Sequence, residues 1–170
     1  MVKHWFHSYL LQHYSKHRSL ALDVGCAMRP YNDDYRCKYI GLDLPTRPYE
    51  GLKPDIFSDG NKLPFQDNTF DLLVSYAVIP YVKNIDQLLE EMHRVLKPKG
   101  VSVIIIMNLR GLALHPDTDF KNRYSSTRLN QKLKEHKFKS IIEKNIKAWF
   151  WSNYYNWTSV YAYAVVTPRK

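Results

Sequence analysis

Leu22-Asp23-Val24-Gly25-Cys26-Ala27-Met28-Arg29-Pro30-Tyr31 closes a short apolar run that begins at Ser19, and its reading decides the fold. An apolar segment that stops on glycine is a buried strand running into a tight turn. Glycine at that place lets the backbone bend sharply and lets a ligand approach without meeting a Cβ. Eighteen residues after Gly25, a second apolar run, Tyr39-Ile40-Gly41-Leu42, ends on Asp43. A carboxylate there can accept hydrogen bonds from both hydroxyls of a ribose. Strand, glycine turn and later acid are the general grammar of adenosine-containing cofactors. Alone they do not separate a nicotinamide from a sulfonium.

Outward from this pair, Phe70–Ser75 and Val101–Ile106 read as longer buried strands. Between them Ile85, Leu88, Leu89, Met92, Val95 and Leu96 fall on one helical face, and the helix is expected to stop at Lys97-Pro98-Lys99-Gly100. A helix bracketed by two apolar strands is a βαβ unit. Val2, Trp5, Phe6, Tyr9, Leu10 and His13 form the apolar stripe of an N-terminal helix. After a polar loop near 108–125, a basic helix over 126–137 precedes strand-like segments at 139–150 and 158–167. The expectation is an α/β chain: one domain over 1–170 with a doubly wound, mostly parallel sheet and helices on both faces. It divides into an N-terminal helix (1–18), a cofactor-binding core (19–107) and a substrate-side remainder (108–170).

Composition narrows the function classes. With 170 residues, 45% hydrophobic and 14% aromatic, the chain has material for one core, which argues against disorder and against a second substrate domain of ordinary size. Cys26 and Cys37 sit in no metal-binding spacing and are too few for a disulfide framework, so reduced thiols in a cytoplasmic protein are expected. No segment reads as a signal peptide or a membrane span. The net charge of +9 is polarised: residues 121–147 carry +7, whereas residues 43–91 carry −5. The acids gather where an adenosine would be held, and the bases lie beyond.

Three further segments extend the pattern: Asp59-Gly60-Asn61-Lys62-Leu63-Pro64-Phe65, Asp67-Asn68-Thr69-Phe70-Asp71-Leu72-Leu73-Val74-Ser75, and Leu88-Leu89-Glu90-Glu91-Met92-His93-Arg94-Val95-Leu96-Lys97-Pro98-Lys99-Gly100. In order and spacing, residues 19–107 resemble the class I S-adenosylmethionine-dependent methyltransferases, particularly the small type 11 group. The resemblance implies a Rossmann-like seven-stranded sheet whose last strand is antiparallel, with S-adenosyl-L-methionine as cofactor. It implies cofactor contacts at Asp23, Gly25, Ala27, Asp43 (ribose), Leu44, Asp59 (adenine), Gly60 and Ser75 (methionine end). Asp67 and Asp71 read as turn-shaping residues instead. Two departures stand out. Ala27 and Arg29 replace glycines of the first loop, and Pro80-Tyr81 stands where the family commonly has Glu-His.

The methyl acceptor is not legible, beyond an oxygen or nitrogen nucleophile. Methyl transfer can proceed largely by alignment, so a base is optional. Tyr76, Tyr81 and His115 are the candidates near the methyl end. Ser75-Tyr76-Ala77-Val78 does not reproduce the motif by which nucleic-acid amino-methyltransferases work. His4, His7, His13 and His17 lack an accompanying acid or cysteine, so no metal is expected. The aromatic stretch 149–157 has three roles open to it besides core packing: closing over substrate, stacking on bases, or forming a homodimer contact. The rival reading is a catalytically decayed methyltransferase fold that binds nucleic acid through 121–147. A nicotinamide oxidoreductase fits least.

Overall fold

The computed structural model describes residues 5–45, 51–107, 112, 119–147 and 160–168. Helix α1 is Trp5–Ser15, followed by strands β1 (Leu20–Val24), β2 (Lys38–Asp43), β3 (Ile56–Phe57) and β4 (Phe70–Tyr76). Helix α2 (Ile85–Val95), β5 (Leu96–Met107), α3 (Ser126–Glu135), β6 (Phe138–Lys147) and β7 (Val160–Pro168) complete the order. The strands form one sheet in the order β3-β2-β1-β4-β5-β7-β6, parallel except for β7, which runs antiparallel to both neighbours. This is a Rossmann-like doubly wound sheet, and its winding reverses between β1 and β4, each of which pairs directly with the other.

Alternation sorts the two faces. Leu22, Val24, Leu73 and Ile104 point to the side covered by α2 and α3, where Leu88, Leu89, Met92, Leu129 and Leu133 are buried. Ala21, Leu72, Val74, Val103 and Ile105 point to the other side, covered by Leu10 and Leu11 of α1 and by Tyr31 and Tyr35. The α2 face read from the sequence is the face that packs: Ile85, Leu88, Leu89, Met92 and Val95 are all buried, and Asn84 caps the helix by accepting from the Gln87 amide (3.2 Å).

Several boundaries differ from expectation. The helix does not end in a loop at 97–100. It passes straight into β5, because Leu96 already pairs with Phe70, and the register then slips so that Leu72 faces Val101. Pro98 has no amide to donate and Lys99 is left-handed (φ 65), so the intervening residues bulge from the ladder. Helix α1 ends at Ser15, and His17 lies beyond it at φ 65, so it shares no helical face with His13. Strand β3 is a two-residue addition at the sheet edge that the apolar pattern missed. The connection 25–37 between β1 and β2 contains only a 3₁₀ turn at Asn32–Asp34, with no α-helix. His115 and the aromatic stretch 149–157 lie outside the described residues.

Candidate active site

The cofactor-type loop begins where β1 ends. Gly25 is left-handed (φ 77), and a Cβ there would lie 2.2 Å from Val78 Cγ2, so both the turn and the approach of the segment after β4 demand glycine. Its amide and that of Cys26 donate to the Leu42 carbonyl (2.7 and 3.1 Å), folding the loop back onto the end of β2. Ala27 (φ 50) and Arg29 (φ 53) keep the left-handed backbone that glycine would favour, although both carry a Cβ.

Two carboxylates hold that strained geometry. Asp43 Oδ2 accepts from the Ala27 amide and Oδ1 from the Leu44 amide, both at 2.7 Å. Asp55 does the same for Arg29: Oδ1 accepts from the guanidinium at 2.7 Å while Oδ2 accepts from the Gly41 amide at 2.8 Å. Arg29 Nε also donates to the Tyr39 hydroxyl (2.7 Å), which donates on to Asn32 Oδ1 (2.7 Å). The acid expected to hold a ribose is thus fixed at the mouth of the loop, and an acid the sequence did not single out, Asp55, anchors its far end.

Asp23 lies beneath the loop, 8% exposed. Burial pushes its carboxyl up to about 7, with the Asp43 charge adding to the rise and the nearby Tyr35 hydroxyl and Arg29 opposing it. The Cys26 thiol is pushed far above its ordinary value, first by burial and then by the Asp23 and Asp43 charges, so it stays protonated and unreactive.

The remaining candidates surround this loop unevenly. Gly60 packs within contact of Leu88 and Val24, which brings the 59–62 turn beside the end of β1. Asp59 is exposed, and its Oδ1 accepts from the Asn61 amide (2.9 Å). That turn is held from α2, where Arg94 donates to the Leu63 and Phe65 carbonyls and to Asp67, while Glu91 accepts from the Leu63 amide. Ser75 is buried, and its Oγ has no hydrogen-bond partner among the described residues; it lies opposite Val24 in the ladder. Leu44 is 42% exposed, an apolar surface beside Asp43. Asp71 sits at the opposite, amino-terminal edge. There it accepts from the Ser19 and Leu20 amides and from Lys97, and these hydrogen bonds outweigh its partial burial and hold its carboxyl at about 2.

Tyr76 at the end of β4 is met by a residue from the other end of the chain. His7 of α1 places its ring 4.3 Å from that of Tyr76, and its Nδ1 lies 3.1 Å from the Tyr31 hydroxyl. His7 is 3% exposed, so α1 builds a His-Tyr-Tyr corner from buried His7 and Tyr31 and half-buried Tyr76 at the end of β4. No local pattern announces this corner. Tyr81 lies apart from it, in a 3₁₀ turn at Ile79–Tyr81, with its ring against Phe120.

A reversed strand order, a left-handed loop at the switch point and an acid at the next strand end define a class I nucleotide-cofactor domain. The methyltransferase domain family matches residues 22–104. Residues 22–104 therefore match a methyltransferase domain of the type 11 kind, whose cofactor is S-adenosylmethionine. A relative in mouse (Mus musculus), named arginine-hydroxylase NDUFAF5, mitochondrial, is 37% identical over 94 residues, covering 49% of this chain and 27% of the relative. The match thus spans about a quarter of that relative's own length. The same architecture appears in a solved protein from Pyrococcus horikoshii OT3, at TM-score 0.71 and 22% identity, covering 95% of this chain and 87% of the other. It appears again in a methyltransferase structure from Methanosarcina mazei, described as SAM-dependent, at TM-score 0.72 and 14% identity, covering 94% and 96%.

The residues present fit that cofactor. The left-handed loop, the fixed Asp43 carboxylate, the exposed Leu44 and the unpartnered buried Ser75 hydroxyl share one edge of the sheet.

Proposed function

We propose that this chain is a methyltransferase that moves the methyl group of S-adenosylmethionine to an oxygen or nitrogen nucleophile. The observation that carries the reading is the carboxylate of Asp43 at the end of β2, 2.7 Å from the Ala27 amide of the loop that leaves β1 at the switch point. S-adenosylmethionine would supply an electrophilic methyl group on its sulfonium, so that in-line attack by the nucleophile on the methyl carbon breaks the C–S bond and releases S-adenosylhomocysteine as the neutral thioether. Asp43 accepts from the ribose hydroxyls while its other lone pairs keep the loop in shape. Leu44 covers one face of the adenine, and Asp59 accepts from its amino group. Gly25 and Ala27 present backbone to the methionine end, with Ser75 below it. The His7-Tyr31-Tyr76 corner walls the acceptor side, and Tyr76 is the residue there that can take a proton from a bound nucleophile.

A second reading is a domain that has lost catalysis and kept binding. The strain at Ala27 and Arg29 favours it, because each residue occupies backbone better suited to glycine. Calorimetric titration with the cofactor or its demethylated product, followed by a radiolabelled methyl-transfer assay, separates the two. The transfer step must be measured directly, since a relative matched to 49% of this chain is named a hydroxylase. No binding at millimolar cofactor sinks the methyltransferase reading; binding without transfer to any acceptor class favours the second.

A further inference from the structure

The turn after β4 is clamped to the segment that leads into α3. The amides of Lys121 and Asn122 both donate to the Pro80 carbonyl (2.7 and 3.1 Å), and the Asn122 side chain donates to the Val82 carbonyl. This brings the Phe120 ring to 5.5 Å from that of Tyr81, which stays 46% exposed. Arg123 sets its guanidinium 5.5 Å from the Phe120 ring centre. From there Arg128 and Lys134 on the solvent side of α3, and Lys137 and Lys139 just past it, are all exposed. Among the described residues, the nearby acids Asp86 and Glu135 pair with Lys132, and Asp119 pairs with Lys121. Tyr81 stands three residues beyond Val78, the side chain that packs on Gly25 of the cofactor loop.

We propose that this surface binds a single-stranded polynucleotide, with unpaired bases on Tyr81 and Phe120 and phosphates along the basic strip, and so carries the methyl acceptor to the cofactor. The proposal rests on the methyltransferase reading of the adjacent site. The exposed Tyr81 ring and the half-buried Phe120 ring beside a guanidinium offer stacking that any base satisfies, whereas a duplex hides its base faces. Extent argues against a small acceptor. The ten residues of α3 alone span about 15 Å, far more than one metabolite needs. An acidic protein partner would answer the charge but has no use for the two rings.

The test is fluorescence anisotropy with labelled oligouridylate and oligothymidylate of about twelve nucleotides, a blunt duplex of the same length, and heparin as competitor, over a range of salt. S-adenosylhomocysteine titration runs beside it on every variant. The single strands should bind more tightly than the duplex. Tyr81→Ala should weaken them about fivefold or more. Arg123→Gln and Arg128→Gln should each make the log–log salt slope shallower by about 0.7, and all three variants should bind S-adenosylhomocysteine like the parent. If the parent binds S-adenosylhomocysteine but neither single strand, the proposal is overturned and the methyltransferase reading stands. Equal binding of duplex and single strand, untouched by Tyr81→Ala, also overturns it. Oligonucleotide binding without S-adenosylhomocysteine binding upholds the surface and overturns the methyltransferase reading, and failure of both removes both.

Discussion

Replacing Ala27 by glycine inverts the usual sign of such a change. An Ala→Gly substitution in ordinary backbone destabilises by roughly 0.5–1 kcal/mol, because glycine enlarges the freedom of the unfolded chain. Ala27, however, is held at φ 50, where contact between Cβ and the carbonyl costs an L residue roughly 1–2 kcal/mol. The 2.7 Å hydrogen bond to Asp43 comes from the Ala27 backbone amide, so glycine retains it. Relief of strain less the entropy penalty, taken at the midpoints of the two ranges, leaves Ala27→Gly more stable by about 0.75 kcal/mol. In a chain of this length that raises Tm by about 1–4 °C. Thermal and urea unfolding followed by circular dichroism measure it, with Ala77→Gly as a companion, since Ala77 is also left-handed (φ 54). Ala21→Gly in the buried β1 strand serves as the opposite control. If Ala27→Gly destabilises by the ordinary amount, the loop does not hold the strained backbone described above and the reasoning fails.

Arg29→Gly, at φ 53, should go the other way despite the same relief, because it removes the hydrogen bonds to Asp55 and Tyr39; a net stabilisation in urea unfolding would show that those contacts contribute little. Asp43→Ala should weaken S-adenosylhomocysteine binding by about tenfold or more, as expected for lost charge-assisted hydrogen bonds. Asp67→Ala, which breaks an exposed pair with Arg94, should leave it nearly unchanged, and equal calorimetric effects would undo the ribose assignment. Asp23 titrates at about 7 when folded against 3.8 as a free side chain. The folded state therefore binds more protons between those values, and the stability Asp23 contributes falls as pH rises through that window. Asp23→Asn should gain on the parent by a few kcal/mol between about pH 4 and 8, whereas a pH-independent difference in urea-derived stability would contradict the buried-acid assignment. Leu88→Ala, at the centre of α2 against Val24 and Gly60, should cost about 2–5 kcal/mol, and a loss under 1 kcal/mol in denaturant melts would place α2 outside the core.

The cofactor half of the molecule was readable because its determinants are local. Buried parallel strands are continuous apolar runs, α2 shows its packed face at helical spacing, and Asp43 is the last residue of its strand. What was illegible depends on partners distant in the chain. The start of β5 at Leu96 is set by Phe70 across the sheet, and β3 is too short to carry a period. Ala27 and Arg29 read as lost glycines, yet the backbone keeps glycine-like angles because Asp43 and Asp55 grip it from the next strand and the loop beyond. His7 meets Tyr76 only because α1 folds over the sheet, a contact no spacing rule anticipates.

That placement of α1 follows from a shortage elsewhere. The connection 25–37 is occupied by a left-handed loop, Pro30 and a 3₁₀ turn, so it supplies no α-helix to cover the sheet face at Ala21, Leu72, Val74 and Val103. Tyr31, Tyr35 and α1 take over that cover, with Leu10 and Leu11 buried and the helix pinned at Asp34, which accepts from Ser8 (3.0 Å) and Gln12 (3.1 Å). Ser15 adds a second pin by accepting from the Arg36 amide at 2.8 Å. Burial of two leucines and a carboxylate with two donors is worth several kcal/mol, enough to fix the helix axis. Fixing that axis also fixes His7 against Tyr31 and Tyr76, one turn of helix from the same leucines. The element that completes the core therefore also shapes the wall that the proposed function assigns to the acceptor, so substitutions that loosen α1 should lower stability and methyl transfer together.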